Sequence, residues 1–188
     1  MEKRIIIAGS GGQGILFIGK LIAHSAMLEG KEVTWFPSYG AEMRGGTANC
    51  TVIVSDEIIG SPITRNPDIL IVMNKSSYDR FFEKVISGGI LLYDSSLINS
   101  VSKREDIYVI GVPASEIAAK KNFTSLANMV IVGAFSSTTN LISLDSILKS
   151  IEDIVSSHRR ELININKELI REGYELYEKN KKSQNVRY

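Results

Sequence analysis

Short apolar runs alternate along this chain with longer stretches whose apolar residues recur every three or four positions. That alternation predicts β-strands interleaved with α-helices. Ile5–Ala8 is a short apolar run closed by glycines and predicts a fully buried first strand. Ile15–Leu28 is apolar nearly all round and predicts a helix buried on more than one side, ended at Glu29-Gly30-Lys31 with Gly30 in the left-handed position that follows a helix. Glu32–Phe36 predicts a second strand, stopped at Pro37. The stretch 37–50, PSYGAEMRGGTANC, has neither period and reads as a loop. Cys50–Ser55 and Ile58-Ile59 flank Asp56-Glu57 and predict an antiparallel pair.

Asp68–Met73 predicts another buried strand, Tyr78–Ile86 a helix ended by Gly88-Gly89, and Ile90–Tyr93 and Ile107–Ile110 two further strands. Ala114–Lys121 and Leu126–Phe135 predict two helices, the second apolar throughout. In the tail, Leu144, Ile147, Leu148, Ile151, Ile154 and Val155 stand at offsets 0, 3, 4, 7, 10 and 11, the stripe of an amphipathic helix. Leu162, Ile165, Leu169, Gly173, Leu176 and Tyr177 repeat it, and KNKKSQNVRY reads as a frayed polar end. Strands apolar enough to be covered on both faces imply a three-layer α/β/α fold: a Rossmann-like, mostly parallel sheet, mixed because of the antiparallel pair. The reading is of one domain over 1–180 with a polar tail over 181–188.

Bulk composition agrees and narrows the function. A chain of 188 residues builds one domain with a substantial core, and 44% apolar with 23% charged residues is ordinary for a soluble globular protein. A formal net charge of +1 supplies no field that would draw nucleic acid or a membrane surface. One cysteine, Cys50, excludes an intrachain disulfide and a cysteine-rich metal cluster, and two histidines are too few for a metal centre. No apolar run approaches the ~20 residues of a membrane span, and the run after MEKR is too short for a signal peptide. These features favour the cytoplasm.

The stretch Ala8–Leu21, AGSGGQGILFIGKL, carries two overlapping nucleotide-binding patterns. Gly9-Ser10-Gly11-Gly12-Gln13-Gly14 satisfies G-x-G-x-x-G between a strand and a helix, where glycines allow a tight turn and the helix offers free N–H groups to an anion. The acid that should close the next strand and hold a ribose is missing: that strand ends Trp35-Phe36-Pro37-Ser38, and Glu32 is at its start. Gly14–Leu21 fits G-x-x-x-x-G-K but puts Leu21 where a magnesium-binding Ser or Thr belongs, and Ile, Leu, Phe and Ile where a phosphate cradle needs open backbone. Lys20 therefore reads as an exposed helix residue. The bland alternative is a turn whose glycines let the helix pack close to the sheet, though packing alone does not call for Gln13.

A second stretch, Tyr39-Gly40-Ala41-Glu42-Met43-Arg44-Gly45-Gly46, puts an acid, a base and glycines on one loop. Arg44 offers a planar fork for a carboxylate or phosphate, against the alternative of a surface ion pair with Glu42. Ligands of open α/β sheets gather at the carboxyl ends of strands. Both loops follow a strand, so Gly11, Gly12, Gln13, Gly14, Tyr39, Glu42, Arg44, Gly45 and Gly46 form one composite candidate site, for a cofactor or a partner subunit. No His, Ser–His–acid set or carboxylate pair accompanies it, so no catalytic residue is assigned. Cys50, heading an apolar strand, reads as a buried inert thiol; His24 reads as a satisfied core residue and His158 as exposed.

GSGGQG after the first strand, followed by PSYGAEMRGGTANCTVIVSDEIIGSPI, resembles the gamma subunit of 2-oxoacid:ferredoxin oxidoreductases, the type that also forms domain III of pyruvate-ferredoxin oxidoreductase. The run Tyr39–Gly46 is most similar to the 2-oxoglutarate branch, 2-oxoglutarate synthase. The resemblance extends over nearly the whole chain, including LANMVIVGAF and the tail helices.

The resemblance implies a complex that decarboxylates a 2-oxoacid on thiamine diphosphate with magnesium, passes electrons through [4Fe-4S] clusters to ferredoxin and hands the acyl group to coenzyme A. It implies that the thiamine and clusters sit on alpha, beta and ferredoxin-like delta subunits, with none bound by this chain alone. One cysteine cannot hold a four-cysteine cluster, and there is no Gly-Asp-Gly stretch for thiamine diphosphate. On this reading the glycine loop and Tyr39, Glu42 and Arg44 face the catalytic subunits or coenzyme A, and an isolated chain could dimerise through an apolar partner face. The alternatives are a gamma-like subunit for pyruvate, a branched-chain 2-oxoacid or indolepyruvate, and a free-standing dinucleotide-binding protein.

Overall fold

The structure, a computed structural model, describes residues 1–38, 47–155 and 157–184. Six strands form one sheet in the order β2-β3-β1-β4-β5-β6. They are β1 (Glu2–Ser10), β2 (Glu32–Ser38), β3 (Thr47–Ser55), β4 (Ile69–Val72), β5 (Ile90–Asp94) and β6 (Tyr108–Val112). β1, β4, β5 and β6 run parallel, and β3 is antiparallel to both of its neighbours, β1 and β2. The helices are α1 (Ile15–Leu28), α2 (Lys75–Phe81), α3 (Ala114–Lys120), α4 (Ala127–Thr139), α5 (Leu144–Ile154) and α6 (Ile163–Gln184).

The strands are apolar throughout because both faces of the sheet are covered. On one face Ile5 and Ile7 of β1 pack under α1 and α4, with α5 and α6 in the same core. On the other, Ile6 and Ala8 meet Tyr78, Phe81 and Phe82 from α2 and the 3-10 turn that follows it. Each fully buried isoleucine contributes roughly 1.5–3 kcal/mol relative to an exposed one, so β1 is a large share of the stabilising burial. The three-layer, mostly parallel mixed sheet expected from the strand–helix alternation is present.

Helix α1 has the expected bounds, with Gly30 at φ 74° after it. Other expectations need correction. Cys50–Ser55 does not pair with Ile58-Ile59: strand β3 starts earlier, at Thr47, and pairs with β1 and β2, while Ile58 is 91% exposed outside the sheet. Thr47, Ala48 and Asn49 are thus strand rather than loop, and Cys50 lies inside β3, not at its head. Pro37 does not stop β2, because β2 is an edge strand on which a missing N–H can face away from the ladder. The helix expected over 78–86 begins at Lys75, where the Asn74 side chain caps it by accepting from the Ser77 N–H (2.8 Å), and it gives way to a 3-10 turn at Phe82. β6 is displaced to Tyr108–Val112, and α4 extends to Thr139, ended by Asn140 in the left-handed region at φ 49°. α6 continues to Gln184, into the polar stretch read as frayed.

Candidate functional site

Strand β3 decides what stands beside the glycine turn at the edge of the sheet. It pairs Ser10 with Thr47 and Ser38 with Asn49, so the carboxyl ends of β1 and β2 stand on one edge of the sheet with the start of β3 between them. The Gly9–Gly14 turn leaves from that edge, and Ser38 and Thr47 hold there the two ends of the stretch 39–46. The candidates Tyr39, Glu42, Arg44, Gly45 and Gly46 themselves lie outside the described residues. β4, β5 and β6, parallel to β1, end on this edge too.

The glycine turn is set by three distinct constraints. A Cβ on Gly9 would lie 2.6 Å from Ile15 Cδ1 and 2.7 Å from Gln13 Oε1, so any larger residue would displace these two side chains where β1 meets the first turn of α1. Gly12 (φ 88°) and Gly14 (φ 70°) adopt left-handed backbone. Gln13 accepts from the Ser10 N–H through Oε1 (2.6 Å) and donates from Nε2 to the Met73 carbonyl at the end of β4 (2.9 Å). The amide that packing could not account for is therefore a staple between the turn and the neighbouring strand. Asn74 extends the tie by donating to Ser10 Oγ (2.6 Å). Gly11 and Gly12 are exposed, Gln13 and Gly14 half-buried.

Gly14 caps α1 with no side-chain hydrogen bond, and the first turn of α1 carries no acid. Among the described residues no side chain caps its leading N–H groups, and no acid in its own first turn offsets the positive end of the helix dipole. Facing it is the start of α4. Asn128 is 4% exposed, its Nδ2 so close to Gly14 that a Cβ there would collide with it, and its Oδ1 is buried with no hydrogen-bond partner among the described residues. Gly12, Gly14 and Asn128 line a cavity of about 430 Å3, walled by Phe17, Leu126 and Met129 and by the end of α5 and the start of α6. Asn128 is the site residue that the sequence reading missed. Its one signal was a single amide inside the otherwise apolar run LANMVIVGAF.

The remaining candidates are structural. Cys50 is fully buried and its Sγ points at the Ile15 carbonyl (3.8 Å); burial pushes its thiol up to about 12, only partly offset by hydrogen bonding to Trp35. It is no nucleophile at neutral pH. His24 Nδ1 lies 3.0 Å from Ser150 Oγ, which ties α1 to α5. The side chain of His158 is outside the described residues. Asp94, wholly buried at the end of β5, accepts from Ser115 Oγ (2.5 Å) and the Ser96 N–H (3.0 Å), and so fastens β5 to α3. Among the described residues no group of three or more His, Cys, Asp or Glu could hold a metal ion.

The fold fits neither nucleotide pattern. Ile15 and Ile18 are buried and Lys20 is exposed on α1, so the phosphate-loop spacing is a coincidence of helix packing. The strand beside β1 on the α1 side is the antiparallel β3, not a parallel β2 with an acid at its end.

A family model for pyruvate ferredoxin/flavodoxin oxidoreductase matches residues 4–176. The ketoisovalerate oxidoreductase subunit VorA of Methanothermobacter marburgensis is 38% identical over 182 residues, covering 95% of this chain and 37% of that protein. This chain thus spans about a third of the length of that relative. The 2-oxoglutarate synthase subunit KorC of Methanocaldococcus jannaschii is 35% identical over 164 residues, covering 86% of this chain and 88% of that one. Among solved structures, the gamma subunit of a keto/oxoacid ferredoxin oxidoreductase from Geobacter sulfurreducens superposes with a TM-score of 0.80 at 26% identity, over 92% of this chain and 96% of that one. A 2-oxoglutarate:ferredoxin oxidoreductase from Magnetococcus marinus, solved with 2-oxoglutarate, coenzyme A and succinyl-CoA bound, superposes with a TM-score of 0.83 at 27% identity, over 93% of this chain and 31% of that one.

Proposed function

This chain belongs to the pyruvate ferredoxin/flavodoxin oxidoreductase family, and on that premise we propose that it is the gamma subunit of a 2-oxoacid:ferredoxin oxidoreductase, inactive alone. The complex oxidatively decarboxylates a 2-oxoacid to its acyl-CoA and reduces ferredoxin. The observation that carries the reading is the family match along almost the whole chain, reaching relatives that are subunits of such enzymes.

Thiamine diphosphate, magnesium and [4Fe-4S] clusters supply the decarboxylation and electron transfer, and alpha, beta and delta subunits hold them. This chain's single cysteine is buried in the sheet core, where it serves packing. Its contribution is the carboxyl edge of the sheet. Gly11, Gly12, Gln13 and Gly14 shape a rigid backbone turn facing the catalytic subunits or coenzyme A. Tyr39, Glu42 and Arg44 add polar groups leaving from the same edge, Arg44 meeting a carboxylate or phosphate. If Arg44→Ala left assembly and acyl-CoA formation unchanged, that role for Arg44 would be wrong. No helix among the described residues is long and apolar enough to cross a membrane, and we place the complex in the cytoplasm.

The preferred substrate is 2-oxoglutarate, supported by the Tyr39–Gly46 run and by the KorC relative. A branched-chain 2-oxoacid is the second reading, favoured by the 38% identity to VorA over 95% of this chain. Anaerobic co-purification from the native host tests all of this. Recovery of thiamine-binding and iron–sulfur subunits, with CoA-dependent viologen reduction, supports the complex, and a panel of 2-oxoacids identifies the substrate. Recovery of the chain alone with a bound dinucleotide overturns the reading.

A further inference from the structure

The stretch 56–68, between β3 and β4, carries no helix or strand. A connection of that length without structure of its own is uncommon in a small domain and is usually functional. It lies at the other end of the strands from the glycine turn, where Ser55 of β3 pairs with Glu2 at the start of β1 and β4 begins beside Ile5. Side chains hold its backbone. Ser55 Oγ accepts from the Glu57 N–H (3.0 Å), Ser61 Oγ accepts from the Ile63 N–H (3.3 Å), and Thr64 Oγ1 donates to the Asn66 carbonyl (3.1 Å). Pro62 and Pro67 fix two further φ angles. At its ends Asp56 pairs with Lys31 (2.5 Å) and Asp68 with Lys3 (3.5 Å).

This braced segment turns apolar side chains outward. Ile58 is 91% exposed, more than any other large hydrophobic side chain among the described residues. Ile63 is 57% exposed and lines, with Ile53 and Arg4, a cavity of about 440 Å3. Ile53 pairs with Thr34, so Phe36, two residues on in β2 and 42% exposed, stands on the same face of the sheet. Folding gains nothing from a solvated isoleucine, whereas a braced loop gives up little entropy when a partner covers it. Glu57 precedes Ile58, and Arg65 lies just past Ile63. Neither has an ion-pair partner among the described residues, although Arg4, Asp56 and Asp68 around them are all paired.

We propose that this loop docks the chain onto another subunit of its complex. Ile58 is the anchor, seated in an apolar socket, and Glu57 and Arg65 meet a basic and an acidic group at the rim of that socket. The relatives supply the occupant. This chain matches only 37% of VorA and 31% of the Magnetococcus marinus chain, so in both the same fold is joined to further polypeptide of its own enzyme. What is one chain there is a neighbouring subunit here. The inference rests on the function proposed above, but the contact is separate from the carboxyl edge, at the opposite end of the strands.

The test is made with the full chain in its native host. A photo-crosslinking residue in place of Ile58 joins the chain, on illumination of the intact complex, to a thiamine-binding or iron–sulfur subunit identified by mass spectrometry. The double variant Ile58→Asp with Arg65→Glu lowers anaerobic recovery of that subunit about tenfold or more, the effect of losing one well-seated anchor. The Tm of the isolated variant chain holds, because neither side chain belongs to the core. Undiminished recovery of every subunit with the double variant overturns the proposal. So does a crosslink that reaches only a second copy of this chain, or none, and so does a fall in Tm, which would place Ile58 in the packing of the fold itself. The two readings fail separately. A double variant that still brings down every subunit and makes acyl-CoA loses the docking loop and keeps the function. A wild-type chain that brings down neither a thiamine-binding nor an iron–sulfur subunit loses the function, and the docking loop with it.

Discussion

Gly133 of α4 and Gly173 of α6 mark the place where these two helices cross with backbone against backbone. A Cβ on Gly133 would collide with the Ile170 carbonyl, and one on Gly173 with the Val130 carbonyl. α4 is the central helix of the larger core, buried from Ala127 to Ser137, so the crossing fixes how the tail is held against the sheet.

Replacing either glycine by alanine forces the helices apart. Gly133→Ala and Gly173→Ala each lower stability by about 2–3 kcal/mol, the upper part of the usual overpacking range because the obstacle is backbone. The double variant costs less than the sum, since one separation relieves both collisions. Urea unfolding of the two single variants and the double variant reads this directly.

The Gln13 staple has its own signature. Gln13→Met keeps the length of the side chain and strands the Ser10 N–H and the Met73 carbonyl, at a cost of about 1–2 kcal/mol for a half-buried pair of bonds. Gln13→Glu does not restore stability at neutral pH: the carboxylate still accepts from Ser10 but turns an oxygen toward the Met73 carbonyl. Equal urea midpoints for wild type and Gln13→Glu at pH 7 would show that the Met73 bond contributes nothing.

Cys50 answers a chemical probe. Its thiol is held far above the usual range, at about 12, by burial. A thiol reagent at pH 8 therefore labels the folded chain only as fast as the protein opens. Labelling accelerates with urea along the unfolding transition. Prompt labelling in native buffer contradicts this burial.

Tyr177 supplies a pH dependence on the alkaline side. Its hydroxyl donates to the Gly111 carbonyl (2.5 Å), and burial, helped by the neighbouring Tyr93, raises it from 10.0 to about 12. A raised pKa means that the unfolded chain loses this proton first. The contribution is fully present below pH ~10 and is lost as the pH climbs toward 12. Tyr177→Phe flattens that part of the stability profile, measured by urea unfolding between pH 9 and 11.5, and removes about 1 kcal/mol at neutral pH with the hydrogen bond.

What the sequence determined by itself is what neighbours along the chain decide. The bounds of α1 follow from an unbroken apolar helix between Gly14 and Gly30, and the stripe from Leu144 to Val155 places α5 on the core. The strands were legible as short apolar runs, and with them the two-sided covering of the sheet. The edge that the glycine turn leaves from was legible too, because a turn that follows a strand lies at that strand's carboxyl end. Relationships between residues distant in the chain come from packing alone. A period of two does not say which strand is the partner, so β3 entering between β1 and β2 was invisible, and an antiparallel pair with Ile58-Ile59 looked equally good. Gln13 finds Met73 across 60 positions of sequence, a hydrogen bond that no local pattern encodes. Gly173 reads as one more position in a helical stripe until the backbone of Val130 is seen against it. Asn128 reads as a stray amide in an apolar run. Only packing shows that it is buried against the uncapped start of another helix, where desolvation without a partner turns an ordinary residue into the most informative one in the site.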